Sequence, residues 1–246
     1  MNLQINKIHK MDCFEGLKQL ENESVDFVVT SPPYNKQMVG GGIVKKIDYD
    51  IYKDDISEEE YQVQQINLLN ELSRILKPGG HIFYNHKNRY SEGKFISPLY
   101  WIKESKLNIR QEIIWNRKIS ANLRGWRFWN CDERIYWLQR PDAEAKEIPS
   151  EVASKSSIWS IMPQRGNGHP CAFPEELVEN CLSIENAKGK LVLDPYMGSG
   201  TTAVVAKYLG MNFIGFELSD TYLEIAEERL GLEQRRPDKQ FQTEFF

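Results

Sequence analysis

Three near-continuous apolar runs constrain this chain most: Val25–Thr30 (VDFVVT), residues 190–194 (KLVLD) and Asn212–Glu217 (NFIGFE). A strand that is apolar at consecutive positions is buried on both faces, as in a parallel sheet covered by helices. Segments with helical spacing lie between such runs. Residues 57–76 carry Ile66, Leu69, Leu72 and Leu76 and meet a stop at Lys77-Pro78-Gly79-Gly80. Residues 175–184, opened by Pro174, 201–209 and 220–230, capped by Ser219 or Asp220, read as three further helices. Residues 3–9, 81–85, 109–115 and 134–138 complete the expected strands. Strands alternating with helices predict an α/β, doubly wound, mostly parallel sheet.

With 246 residues, one domain spanning 1–232 accounts for the pattern. It carries loop insertions at about 35–55 and 141–167, and 233–246 reads as a charged tail. No apolar run is long enough to span a bilayer, and no apolar stretch backs the charges of MNLQINKIHKMD, so a cytoplasmic protein is expected. The four cysteines form no CxxC pair, so neither a metal site nor a disulfide framework is expected. The net charge of −4 argues against a protein that coats nucleic acid non-specifically. Charge is uneven, however. Residues 103–140 hold nine Lys/Arg against four Asp/Glu, a local basic face compatible with an enzyme that binds DNA and releases it.

The segment Asp194-Pro195-Tyr196-Met197-Gly198-Ser199-Gly200-Thr201-Thr202 runs strand, tight turn, helix. Its glycines let backbone approach a ligand, and the helix beyond presents free N–H groups. A pyrophosphate would be repelled by Asp194, and no Lys follows the glycines as in a phosphate-binding P-loop. S-adenosylmethionine, with a sulfonium and an ammonium, suits a carboxylate. Glu217 closes the next strand, where an acid can accept both ribose hydroxyls. The plainer alternative makes Asp194 a helix cap and Glu217 a turn residue.

Ser31-Pro32-Pro33-Tyr34 follows directly on a buried strand. The prolines fix φ and remove two N–H donors, leaving carbonyls as acceptors. An exocyclic base nitrogen is a poor nucleophile because its lone pair is conjugated into the ring. Two acceptors, Ser31 Oγ and the Pro32 carbonyl, would favour its pyramidal form, and Tyr34 offers a face on which an extruded base can stack. Taken alone, the four residues also suit a rigid turn.

With these motifs the chain resembles the amino-methylating DNA methyltransferases of the permuted beta subgroup, N4-cytosine/N6-adenine type, found in restriction-modification systems. SPPY at 31–34, DPYMGSGTT at 194–202 and HPCAFPEEL at 169–177 carry the likeness. Release-factor glutamine methyltransferases place the glycine block first, whereas here SPPY comes first. The resemblance implies a seven-stranded, Rossmann-like methyltransferase sheet in circularly permuted motif order. It implies S-adenosyl-L-methionine as cofactor, bound by Asp12, Cys13, His169, Phe173, Asp194, Tyr196, Gly198, Ser199, Gly200, Thr201, Thr202 and Glu217. Asp12 matches the position that contacts the cofactor adenine. Many relatives have Lys where Phe173 stands, which removes a charge contact to the cofactor carboxylate. Ser31, Pro32, Pro33 and Tyr34 match the catalytic loop. Double-stranded DNA is the implied substrate, and a homodimer and a cognate restriction endonuclease are partners known in the family.

For DNA contact the candidates are Lys36, Lys45 and Lys46 in the glycine-containing loop, and Arg117, Lys118, Arg124 and Arg127 in the RGWRFW region. For that region two readings stand: aromatic residues buried as core, or aromatics presented to DNA. N4 of cytosine is favoured over N6 of adenine because adenine-methylating relatives more often have Asp where Ser31 stands. A catalytically inactive nucleic-acid-binding module is the alternative from another class, and the intact SPPY and glycine blocks speak against it.

Overall fold

The computed structural model describes residues 3–35, 56–91, 93–119, 126–144, 146–164 and 173–233. The elements of the first half are β1 (Lys7–Lys10), α1 (Cys13–Lys18), β2 (Val25–Thr30), α2 (Glu58–Ile75), β3 (Leu76–His86), β4 (Arg89–Ser91), β5 (Lys94–Ile96) and α3 (Leu99–Ile102). The second half contributes β6 (Asn108–Asn116), β7 (Asp132–Gln139), α4 (Ser150–Ala153), β8 (Ile158–Trp159), α5 (Glu175–Leu182), β9 (Leu191–Asp194), α6 (Thr201–Tyr208), β10 (Asn212–Glu217) and α7 (Asp220–Glu233).

The main sheet runs β1-β10-β9-β2-β3-β7-β6-β8. Pairings from β1 to β3 are parallel, while β7 is antiparallel to both β3 and β6. The expected seven strands are all present. An eighth, only two residues long, comes from the 141–167 stretch that reads as irregular and pairs in parallel with β6 at the sheet edge. A separate hairpin of β4 and β5 was not anticipated. The tail expected from 233 starts with the last residue of α7, and residues 234–246 lie outside the described residues, as does most of the 35–55 insertion.

Apolar alternation places a core on each face of the sheet. Phe27 and Val29 of β2 face one layer with Leu177, Val178 and Cys181 of α5 and Ala203 and Val205 of α6. Val28 faces the other with Leu17 of α1, Leu68, Leu69 and Leu72 of α2 and Trp101 of α3. Helix α2 begins with a reciprocal capping box between Ser57 and Glu60, an arrangement typically worth about 1 kcal/mol.

One expectation holds in part: α2 stops at Ile75, but no turn follows. Lys77-Pro78-Gly79-Gly80 does not separate α2 from its strand. Instead β3 starts at Leu76, pairs there with Val25, and resumes at His81 opposite Phe27. Four residues bulge out of register, Gly79 takes φ +77°, and Lys77 reaches back to Asp26 at 2.8 Å.

Strands β9 and β2 are neighbours, but the chain continues to β10 on one side of this pair and to β3 on the other. A crevice opens beyond the carboxyl ends of strands at such a switch. Both the loop after β2 (31–34) and the glycine turn after β9 fall there.

Candidate active site

A single cleft of about 1320 Å³, counting its open mouth, is lined by both loops. At one end lie Asp12, Cys13, Phe173, Asp194, Tyr196, Gly198, Ser199, Thr201, Thr202 and Glu217, all expected from sequence. At the other lie Ser31, Pro32, Pro33 and Tyr34, joined by Asn85, Trp115, Arg117 and Glu133. His169, Lys36, Lys45, Lys46 and Arg124 lie outside the described residues.

The glycine turn is held by carboxylates acting on backbone. Asp194 is 2% exposed. It accepts from Tyr196 N at 3.0 Å and Thr202 Oγ1 at 2.8 Å, so it does brace its own turn and the start of α6. Burial pushes its carboxyl up to about 6, opposed by those hydrogen bonds. Glu217 accepts Gly198 N at 2.8 Å on one oxygen, and Leu218 N and Ser219 N at 2.9 Å on the other. The plainer role for both acids, holding local structure, is therefore real. It does not exclude the ligand role, because Glu217 Oε2 accepts one backbone bond and keeps a second lone pair, and both residues line the cleft. Gly200 stands at φ +80°, and a Cβ there would lie 2.8 Å from the Cβ of Ala226.

Asp12 caps α1 through Phe14 N at 2.9 Å. The Cys13 thiol donates to the Tyr196 hydroxyl at 3.3 Å, and burial pushes it up to about 12, so it is no nucleophile. Arg229 of α7 went unnoticed in the sequence. Its guanidinium donates to Ser199 O at 2.6 Å and Thr201 Oγ1 at 3.0 Å, and reaches Glu175 at 3.1 Å. It ties α5, the turn and α7 together.

Three carboxylates therefore share the glycine-turn end of the cleft with apolar Met11, Phe173 and Phe216. This set opposes a pyrophosphate. It fits S-adenosylmethionine, whose reacting end is cationic and whose adenine is flat and apolar.

At the SPPY end the order arises from side chains of four different strand ends. Ser31 Oγ lies 2.7 Å from Tyr34 Oη. Tyr34 Oη donates to Glu133 Oε2 at 3.0 Å. Asn85 Nδ2 contacts Tyr34 Oη at 2.6 Å and Glu133 Oε2 at 2.9 Å. Arg117 closes the group on Glu133 Oε1 at 2.7 Å. Tyr34 is 6% exposed and its ring tilts against His86 at 4.4 Å. The Pro33 carbonyl accepts from Tyr61 Oη at 2.7 Å. Among the described residues no bond engages the Pro32 carbonyl.

Sequence reasoning missed Asn85 and Glu133. The only signal was a polar residue at the cleft end of each of two apolar strands, HIFYN and ERIYWL. It also assigned Arg117 to DNA; the guanidinium bonds Glu133 while lining the cleft. Lys118 remains outside, with φ +60°. The aromatic region is not core. Trp126, Phe128 and Trp129 are 57, 98 and 50% exposed. Arg127 lies over the Tyr90 ring at 4.6 Å. The Arg117 N–H donates to the Cys131 carbonyl at 2.9 Å and closes the base of this loop beside Glu133.

Comparison with known proteins gives concordant matches. A family described as DNA methylase, of N6/N4 type, matches residues 25–228. Type II methyltransferase M.HinfI of Haemophilus influenzae is 31% identical, over 92% of this chain and 68% of that one. Type II methyltransferase M2.DpnII of Streptococcus pneumoniae is 30% identical, over 90% of this chain and 88% of its own length. Among solved structures, PvuII DNA methyltransferase (cytosine-N4-specific) shares the fold at a TM-score of 0.73 and 19% identity, over 91% of this chain and 85% of that one. No helix among the described residues is long and apolar enough to cross a membrane.

Proposed function

The chain belongs to the N4/N6 amino-methylating DNA methylase family and is an S-adenosylmethionine-dependent enzyme acting on DNA, and we propose that its target is the N4 amino group of a cytosine turned out of the duplex. The supporting observation is the polar pattern at the catalytic end. Position 31 is a neutral hydroxyl, and the cleft-lining Arg117 has its Nε without a partner. Along the Watson–Crick edge that carries the amino group, cytosine presents two acceptors, N3 and O2, where adenine presents only N1. A guanidinium suits a pair of acceptors.

When bound, S-adenosylmethionine supplies a methyl group on a sulfonium. Asp12, Cys13, Phe173, Tyr196, Glu217 and the turn at Gly198, Ser199 and Gly200 would hold it, with Thr201 and Thr202 at the helix start and Asp194 bracing the turn. Ser31 Oγ and the Pro32 carbonyl accept the two amino hydrogens, which weakens conjugation of the nitrogen lone pair into the ring. Pro33 keeps the loop rigid, and Tyr34 flanks the base. Lys118, Arg127 and the exposed Trp126, Phe128 and Trp129 meet the duplex, where aromatic wedges can fill the space left by an extruded base. The relatives are named Type II methyltransferases, so a restriction endonuclease reading the same site is the natural partner. Methylated DNA digested to nucleosides tests the base: mass spectrometry should find N4-methylcytosine. A product containing only N6-methyladenine would overturn the base and leave the family standing.

A further inference from the structure

We infer that Glu133 sets the direction of a hydroxyl chain ending on Ser31, so that Ser31 offers the target base only lone pairs, and that the same chain carries away the proton released by methylation. This rests on the amino-group reading above. Glu133 is 6% exposed, and its Oε1 faces Arg117 at 2.7 Å. A carboxylate only accepts. Its Oε2 lies 3.0 Å from Tyr34 Oη, and two oxygens that close must share a hydrogen, which Tyr34 supplies. Asn85 turns its Nδ2 toward both oxygens, because the reverse orientation would set Oδ1 against a carboxylate.

Tyr34 has one hydroxyl hydrogen, and Glu133 takes it. The 2.7 Å contact between Tyr34 and Ser31 must then be donated by Ser31. That uses the only hydrogen of Ser31. What remains toward the cleft is acceptor. An amino group at the reacting position is welcomed, and an oxo group there meets lone pair against lone pair. Uracil, hypoxanthine and thymine are thereby disfavoured without any clash of shape.

The proton follows the same path outward. As the nitrogen–carbon bond forms, the carbon–sulfur bond breaks and its electrons stay on sulfur, leaving the base nitrogen with one proton too many. That proton moves to Ser31 Oγ while the Ser31 proton moves to Tyr34 Oη and the Tyr34 proton to Glu133 Oε2. Both hydroxyls are restored, and Glu133 ends as a neutral acid beside Arg117. Among the described residues Arg117 is the one charged group bonded to Glu133.

Binding tests this apart from turnover. Once the methylated site is mapped, duplexes carry cytosine or uracil at the target position, each opposite an abasic residue so that extrusion costs little in either. Wild type should prefer the amino base by roughly tenfold. Glu133→Gln presents an amide N–H to Tyr34, the chain can then reverse, and the preference should fall close to unity. Tyr34→Phe, one oxygen smaller, should abolish it likewise and serves if Glu133→Gln fails to fold. In single turnover both variants should slow methyl transfer about 10²-fold or more. A wild-type preference that survives in Glu133→Gln, or in Tyr34→Phe, overturns the chain. If wild type itself shows no preference and the methyl group is found away from an exocyclic amino nitrogen, it is the amino-group reading that fails.

Discussion

The two ends of the cleft are built by different means. At the glycine turn, Asp12, Asp194 and Glu217 all hold backbone N–H groups, and every partner lies within nineteen residues of its acid. At the SPPY end, Ser31, Asn85, Arg117 and Glu133 come from the ends of β2, β3, β6 and β7 and hold one another's side chains. Tyr34 and Glu133 are 99 positions apart in the chain. The first arrangement is local and its charges are spread over many small donors. The second is a network in which each member depends on the rest, so a single deletion strands a buried polar group. Losses at the first end should appear as cofactor affinity, and losses at the second as rate.

The largest effect tests the second half of that contrast. Ser31→Ala removes the head of the hydroxyl chain while leaving the turn untouched. Methyl transfer in single turnover should fall about 10²- to 10³-fold, the usual loss for one positioned hydrogen-bonding group. Cofactor affinity by calorimetry should stay within about twofold. A rate close to wild type would break the comparison.

Asp194 sharpens the first half through pH. Its folded carboxyl stands at about 6, against 3.8 when exposed, so between those values the native state holds a proton that the unfolded chain has lost. This contribution is fully present below about pH 3.8 and is lost as pH rises through 6. The difference corresponds to about 3 kcal/mol. Asp194→Asn should remove that slope. Melting curves between pH 4 and 7 check it, and parallel curves for the two proteins would show that Asp194 does not titrate in this window.

Glu217→Ala should weaken S-adenosylmethionine binding about ten- to hundredfold, the cost of one charged acceptor, with the rate at saturating cofactor nearly intact. A fall in rate with unchanged affinity would reverse the assignment of the two ends. The smallest effect belongs to the surface. Phe128→Ala should lower DNA affinity by about 1–3 kcal/mol if the ring stacks or wedges, as anisotropy titration would show. Because Phe128 is 98% exposed, its thermal stability should move by no more than about 0.5 kcal/mol. Unchanged DNA affinity would remove this ring from the interface.

The same division governs what could be read in advance. Strands β2 and β10 have the bounds their apolar runs suggest, and the glycine turn sits where its motif places it, because each depends on residues adjacent in the chain. The stop at 77–80 does end α2, but the turn expected there is a bulge within β3. Its Pro and glycines permit a turn, but pairing of Leu76 with Val25 keeps the segment in the sheet. The edge strand β8 was invisible, since two residues carry no periodicity. The aromatic region left two readings open because apolar character alone says nothing about which rings find a core to enter.

From the sequence alone came the α/β class, the motif order, the glycine turn and the SPPY loop, since helical and strand periodicity and chain-local motifs are properties of neighbouring residues. Tertiary structure alone decided that Asn85, Arg117 and Glu133 converge on Tyr34, that Arg229 braces the turn, and that Phe128 stands in solvent. Those outcomes depend on sheet order. Placing β7 between β3 and β6 brings Glu133 beside Asn85 and Arg117, and no local pattern in the chain encodes that adjacency.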